Sequence, residues 1–445
     1  MQKILLINPA YRTHLLDKVR VLALPPLNLQ MIAAYTPDDF RVEILDESFE
    51  EVTPELQADL VGITCMTPLA PRAYEIAAMF RARGIPVVLG GIHVSMMPDE
   101  AAGHADAIVV GEGEEVWPQL LADFRQGRLK VRYAAETWPD LAELRPPRRE
   151  LLRNKYFVQT VQTSRGCPHN CKFCSVTRFN GGQYRMRDID RVIEEVTSIP
   201  DKKLFIIDDN IIGSGKRCID RAFALFDRLR HCNKEWGGQT CLNIVEHEGL
   251  LAAAAASGAK AFLIGFESLR EETLSGLGKN MNLRPTTRNF KASIKKIQDH
   301  GIAVIGGFIF GTDQDTYDTF RTTLDFICES GIDAVQLSIQ TPLPGTTLYQ
   351  ELESNGRLLL TDYPADWESY NIFEPVFQPK HMDPQTLYGG LIDAYREVAS
   401  FKRSLPRGLK TLWRTRSLFS TGIAFFWNYD SYKSIRTLTR PHFKS

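Results

Sequence analysis

Three cysteines dominate the chemistry available to this chain. Cys167, Cys171 and Cys174 stand at C-x3-C-x2-C spacing, directly after an extended, β-rich run over 157–163. Such spacing wraps a short loop around one inorganic centre. Three thiolates are one short of the four that close a zinc site or an ordinary iron–sulfur site. The next cysteine in the chain is Cys218, so no fourth lies nearby. A cubane [4Fe–4S] cluster held by three thiolates keeps one iron open to an outside ligand. The competing reading is a zinc loop closed by His169, which sits inside the loop and is poorly placed to close it. An accidental group of free cysteines is the third reading.

With Phe173 before the last cysteine and a strand before the first, this motif resembles the radical S-adenosylmethionine (SAM) enzymes. The resemblance implies that the open iron binds the amino and carboxylate groups of SAM. One electron from the cluster then cleaves the sulfonium to a 5′-deoxyadenosyl radical.

The elements that must position such a loop follow it. Strand patterns over 158–163, 203–208, 239–244, 261–266, 303–310 and 334–339 alternate with helix patterns over 188–198, 216–230, 248–257, 287–300 and 314–330. Six βα units predict a partial (β/α)6, TIM-like barrel with its chemistry at the carboxyl ends of the strands. The polar residues obey that rule. Asp208 and Asp209 end the second strand, Glu267 and Ser268 the fourth, and Thr312 and Asp313 the fifth. The resemblance assigns Phe173, Asp208, Asp209, Glu267, Ser268, Lys279, Gly306 and Gly307 to the SAM side. Helix capping is the plainer role for Asp208, Asp209 and Ser268, and glycine packing for Gly306 and Gly307. Cys218, Cys232, Cys241 and Cys328 read as ordinary buried cysteines.

Upstream, residues 1 to about 125 alternate strand and helix patterns, which predicts an α/β domain with a doubly wound, Rossmann-like parallel sheet. Ligands of such sheets bind at the carboxyl ends of the strands. Thr64, Met66 and Thr67, then Gly90 and Gly91, then Gly111, Glu112, Gly113 and Glu114 occupy those ends. Ordinary βα turns would also use these glycines. The domain resembles the cobalamin-binding domain fused to one large radical SAM subgroup, on the segments 25–29, 90–100 and 111–114. That implies cobalamin bound along these three turns. The D-x-H-x-x-G motif that supplies cobalt with a histidine is absent, so His93 reads as a turn or packing residue. Cys65 alone cannot hold a second cluster, which argues against the sulfur-inserting relatives.

The expected layout is a cobalamin domain over 1–130, a linker rich in Arg, Glu and Pro over 131–156, the barrel over 157–345, and a small, mostly helical C-terminal region over 346–445. Tyr363, Trp367, Tyr370 and Phe373 fit a lid, a substrate pocket or a satellite core. Residues 401–445 carry ten Lys or Arg against Asp430, interleaved with Trp413, Phe419, Phe425, Phe426 and Trp427. That mixture fits a peripheral membrane contact with the barrel mouth toward the lipid, a helical cap on the barrel, or an anionic-substrate site.

Composition sets the outer limits. A net charge of -1 argues against a general nucleic-acid binder. No apolar run approaches the roughly 18 residues of a spanning helix, and the cysteine usage fits a reducing cytoplasm. Together the resemblances imply a cobalamin-dependent radical SAM methyltransferase acting on an unactivated carbon of a small molecule, apolar or polycyclic, with a flavodoxin- or ferredoxin-type reductant. The alternatives are a cobalamin-binding radical SAM enzyme that closes, rearranges or oxidises a ring, and a non-catalytic cobalamin or metal sensor.

Overall fold

The computed structural model of the protein describes residues 1–11 and 23–437, with backbone alone for 401 and 429–437. The chain forms two compact units. One comprises Met1–Phe157 with Leu343–Gly345 and Thr361–Asn371; the other comprises Val158–Pro342, Thr346–Leu360 and Ile372–Ser445.

In the first unit the strands are β1 (Gln2–Asn8), β2 (Phe40–Asp46), β3 (Leu60–Thr64), β4 (Val87–Gly90), β5 (Ala107–Val110) and β6 (Arg132–Ala134). The helices are α1 (Leu27–Ala34), α2 (Ala70–Arg81), α3 (Ile92–Met96), α4 (Pro98–His104) and α5 (Trp117–Arg125). The strands pair in parallel in the order β2-β1-β3-β4-β5-β6. Ile4, Leu5, Leu6 and Ile7 are all buried, as a parallel strand covered on both faces requires. Ile4, Leu6 and Val88 pack with Leu29 of α1 and Leu120 of α5, and α2 covers β3 and β4. The strand order reverses between β1 and β3. That switch point opens a crevice outside the carboxyl ends of the strands. β6 lies inside the stretch expected as a linker. It is a three-residue edge strand, too short to show an alternating pattern.

The late segment Thr361–Asn371 belongs to this first unit. Trp367 is fully buried, its ring stacked on Tyr363 at 3.8 Å, and Tyr370 is buried beside them. These aromatics are therefore a satellite core, and the lid or pocket reading does not hold for them. Phe373 falls in the other unit.

The second unit contains β7 (Gln159–Val161), β8 (Ser164–Arg165), β9 (Arg185–Met186), β10 (Lys203–Ile206), β11 (Glu235–Thr240), β12 (Ala259–Glu267), β13 (Ala303–Phe310) and β14 (Ala334–Ile339). Its helices are α6 (Ser175–Phe179), α7 (Ile189–Ser198), α8 (Lys216–Leu229), α9 (Leu250–Ala256), α10 (Glu271–Gly276), α11 (Phe290–Gln298), α12 (Tyr317–Ser330), α13 (Thr347–Ser354), α14 (Pro384–Ala399), α15 (Phe401–Thr415) and α16 (Leu418–Thr437). Six strands, β7 and β10 to β14, pair in parallel in chain order, with β7 and β14 at the edges. This is the expected partial barrel. β8 and β9 form a small antiparallel pair beside the cysteine loop.

One strand lies earlier than its apolar run suggests. β11 carries Gly237 and Gly238, while Leu242 to Ile244, the apolar end of the strand expected over 239–244, lie in a tight 3-10 turn. Glycine weakens a strand signal, yet here space demands it. A Cβ on Gly238 would lie 2.5 Å from Ile211 Cδ1 and 2.9 Å from the Ile206 carbonyl.

α15 and α16 close the amino ends of the strands. Ser420 Oγ donates to the carbonyl of Lys260, Asn428 Nδ2 donates to that of Asp333, and Ala424 packs with Ala261, Ala303 and Ala334. Phe419 and Trp427 turn inward here. The C-terminal helices therefore lie at the end of the barrel opposite the cysteine loop. The expected arrangement, with barrel mouth and basic tail on one face, is wrong. Arg440 and Lys444 fall outside the described residues.

Candidate functional site

The cysteine loop leaves β7 through a clamp of buried hydrogen bonds. Asp208, 1% exposed, accepts from the Thr163 backbone N–H at 2.6 Å, from Thr163 Oγ1 at 2.5 Å and from Ser164 Oγ at 2.6 Å. Asp209 accepts from the Gly166 N–H at 2.9 Å. Arg187 N–H and Arg221 Nη2 both donate to the Thr163 carbonyl. The strand end that delivers Cys167 is thus held through the N–H, carbonyl and hydroxyl of Thr163, the hydroxyl of Ser164 and the N–H of Gly166. Burial pushes the Asp208 carboxyl up and carries Asp209 up to about 6. Gly166 has φ 86, and a Cβ there would meet the Gln183 carbonyl at 2.0 Å. Only glycine makes this turn.

Cys171 is buried; Cys167 and Cys174 are half-buried. Burial pushes the thiols of Cys171 and Cys174 up to about 11, so metal loading must displace their protons. Among the described residues no three His, Cys, Asp or Glu side chains converge as a single metal ion requires. A cubane holds its thiolates apart around a larger body. Cys241, just past β11, hydrogen-bonds Cys167, which raises Cys167 and lowers Cys241. Sequence spacing gives no hint of that neighbour.

The loop after β12 packs against the cysteine loop. Lys172 N–H donates to the Leu277 carbonyl, and a Cβ on Gly278 would lie 2.9 Å from the Asn170 carbonyl. Lys279 Nζ then reaches Glu267 Oε1 at 2.8 Å, both side chains nearly buried. Glu267 holds φ 65 at a bulge in the β12–β13 pairing. Burial alone would lower the Lys279 ammonium, but Glu267 and the nearby thiols raise it overall, so it stays a cation. Cys171, His169, Lys279 and Arg284 line one cavity of about 350 Å³.

The other expected residues divide. A Cβ on Gly307 would make only ordinary contact, 3.7 Å from Gly265 Cα and 3.8 Å from the Ile264 carbonyl, whereas a Cβ on Gly306 would strike Ile332 Cδ1 at 2.3 Å, so Gly306 serves packing. Ser268 is buried and accepts from the Arg270 N–H. Phe173 packs on the barrel core. Sequence reading missed Asn282, and it placed Asn243 near the end of the third barrel strand without giving it a role. Both are buried near strand ends, and each has an Oδ1 without a partner. Three thiols on one loop, a nearly buried cation–carboxylate pair and these two orphaned acceptors fit an iron–sulfur cluster with SAM.

In the first unit the three expected turns meet along the carboxyl edge of the sheet. Met66 is 57% exposed there, and nothing lies within 4 Å of the position a Cβ on Gly111 would take. This open edge fits a large flat ligand such as cobalamin. Thr64 Oγ1 accepts from Asn28 Nδ2 at 2.7 Å. Glu112 and Glu114 are buried. Gly91, at φ 103, packs on the backbone of Cys65, where a Cβ would come within 2.8 Å; Gly90 has ordinary room. A bulky residue at Gly91 would therefore disturb the fold as well as a ligand. Thr67 Oγ1 bonds Nδ1 of His93, whose Nε2 bonds Glu100. His93 is fully buried with both nitrogens engaged, the packing role read from the sequence.

The chain matches the family models described as Radical SAM superfamily, over residues 161–327, and B12 binding domain, over residues 14–121. It is 30% identical over 430 residues to the bacteriochlorophyllide d C-12(1)-methyltransferase of Chlorobaculum tepidum, covering 93% of this chain and 91% of that one. It is 31% identical over 420 residues to the bacteriochlorophyllide d C-8(2)-methyltransferase of the same organism, covering 89% and 90%. Among solved structures it is similar to the radical SAM methyltransferase TsrM from Kitasatospora setae, which has cobalamin and a [4Fe-4S] cluster bound. That match has TM-score 0.70 and 19% identity, and covers 88% of each chain.

Proposed function

This chain belongs to the radical SAM enzymes that carry an N-terminal cobalamin-binding domain, and from that membership we propose how its residues work as a C-methyltransferase. Cys167, Cys171 and Cys174 hold the cluster; the edge formed by Thr64, Met66, Thr67, Gly90, Gly91 and Gly111 to Glu114 holds cobalamin. When bound, the cluster supplies the electron that cleaves SAM to a 5′-deoxyadenosyl radical, and cobalamin supplies the methyl group. Lys279 presents a fixed positive charge beside the cysteine loop, suited to the SAM carboxylate, and Glu267 holds it in place. Asp208 and Asp209 fix the loop rather than touch SAM. Asn243 and Asn282 offer buried acceptors to SAM or substrate hydroxyl and amino groups.

The observation that carries this reading is the packing of the Lys279 loop directly on the cysteine loop. We read the substrate as a small molecule with a large apolar or polycyclic body, because two relatives aligned over nearly their whole length are named for a bacteriochlorophyllide. The reading also includes an external one-electron donor of flavodoxin or ferredoxin type, a cytoplasmic location and a peripheral membrane contact. Among the described residues no helix is long and apolar enough to cross a membrane.

The test is anaerobic reconstitution with iron, sulfide and cobalamin, followed by reduction in the presence of SAM and candidate polycycles. The expected products are 5′-deoxyadenosine and a substrate heavier by one methylene unit. Deoxyadenosine with an unmethylated, ring-closed or oxidised product would assign the ring-modifying alternative. No deoxyadenosine at all would return the sensor reading.

A further inference from the structure

α15 is amphipathic in the wrong sense for a surface helix. Such helices normally turn their apolar stripe to the core and their polar face to water. Here several polar side chains turn inward. Thr411 Oγ1 donates to Asp333 Oδ1 at 2.5 Å, Arg414 Nη2 donates to the same oxygen at 2.8 Å, and Arg407 donates to the Val398 carbonyl. The apolar side chains face outward: Leu405, Leu409 and Leu412 sit one helical turn apart and remain exposed, and Trp413 is 80% exposed. α16 continues the patch with Leu418, 81% exposed, and Phe425. Between the helices lies a shallow, almost wholly apolar cavity of about 300 Å³, lined by Leu405, Leu409, Leu412, Leu418 and Phe425 with Gly408 at its floor. A patch of this kind marks an interaction site.

Charge decides the occupant. No Asp or Glu occurs between residues 401 and 429, while Lys402, Lys410 and Arg416 are exposed around the leucines. Two copies of one basic face repel each other, which disfavours self-association through it. An anionic bilayer satisfies both features. Lys and Arg approach the headgroups, leucines enter the acyl boundary, and tryptophan prefers the interface between them.

We propose that the outer face of α15 and α16 docks on an anionic phospholipid surface. This deepens the peripheral contact in the function proposed above, and it fixes an orientation. The helices cover the amino ends of the barrel strands, so the docked enzyme turns its cysteine loop away from the lipid.

The test uses the full chain, reconstituted with its cofactors, in flotation with vesicles of phosphatidylcholine alone or with one-third phosphatidylglycerol. Binding is expected only with the anionic lipid and should weaken as salt rises. The variant L409E/W413E/L418E should bind at least tenfold more weakly. The variant K402Q/K410Q/R416Q should lose the difference between the two vesicle types. SAM cleavage in solution is measured beside it and should be unchanged in both variants. A loss of cleavage by the wild-type enzyme would therefore strike the enzyme assignment and leave the docking result intact. No binding to anionic vesicles at low salt, or undiminished binding of the acidic variant, overturns the proposal. So does a wild-type dimer in light scattering that becomes a monomer in the acidic variant, because the face would then belong to a second copy.

Discussion

Lys279 Nζ lies 2.8 Å from Glu267 Oε1 because Gly265, two residues earlier on the same strand, has no side chain. A Cβ on Gly265 would lie 2.1 Å from that carboxylate oxygen and 3.0 Å from the ammonium. Backbone twist, glycine and ion pair form one device. Removing a single partner strands a charge in a nearly buried place, a loss of about 3–5 kcal/mol. Lys279→Met should therefore lower the unfolding temperature and weaken SAM binding in equilibrium dialysis. Gly265→Ala should weaken SAM binding without removing either charge. Normal SAM affinity in both variants would show that the pair is structural only.

Each cysteine of the loop is expected to carry one iron of the cluster. Cys167→Ala, Cys171→Ala and Cys174→Ala should each lose deoxyadenosine formation while keeping wild-type circular dichroism. A single variant that cleaves SAM at the wild-type rate would remove that cysteine from the ligand set. Cys241→Ala is the control. It removes the neighbour of Cys167 and should leave iron content intact.

Asp209 supplies a pH-dependent term. Its folded carboxyl titrates at about 6 against an ordinary 3.8, because burial disfavours the charge. A raised acid pKa means that ionisation opposes folding above pH 6, and that this cost fades as pH falls toward 4. Asp209→Asn should therefore raise stability at pH 7.5 by up to about 3 kcal/mol and change it little at pH 4. Thermal unfolding at the two values reads the difference, and an equal effect at both would contradict it.

For cobalamin, Gly90 is a cleaner probe than Gly91. Gly90→Trp should block uptake of cobalamin, followed by its visible spectrum, while the sheet still folds. Gly91→Trp should lower the unfolding temperature as well, since it drives a side chain into the Cys65 backbone. Stoichiometric cobalamin on a folded Gly90→Trp variant would move the site elsewhere.

What the sequence discloses follows physical locality. Cys167, Cys171 and Cys174 are legible because one short loop carries them all. β12 and β13 are legible because each holds several bulky apolar residues in a row, over 261–264 and 303–305 with 308–310. β11 hides behind Gly237 and Gly238, and the need for glycine at 238 is set by Ile206 and Ile211 some thirty positions earlier. Cys241 beside Cys167 and the clamp of Asp208 on Thr163 are contacts between strands, and no local pattern announces them. The outward leucines of α15 show the same limit. Helical spacing reveals an apolar stripe but not which way it faces.

Trp367 completes a site that begins far upstream. Its indole N–H donates to Glu100 at 2.9 Å across 267 positions of chain, where Tyr74 and His93 also bond the same carboxylate. A ribosome adding about 5–20 residues per second needs roughly 13–53 s to cover that interval. From the emergence of β6 onward the first sheet has every strand it needs and still lacks the indole that covers Glu100. The N-terminal unit is thus the first to be synthesised and among the last to be finished, its last donor arriving only after the whole barrel has emerged.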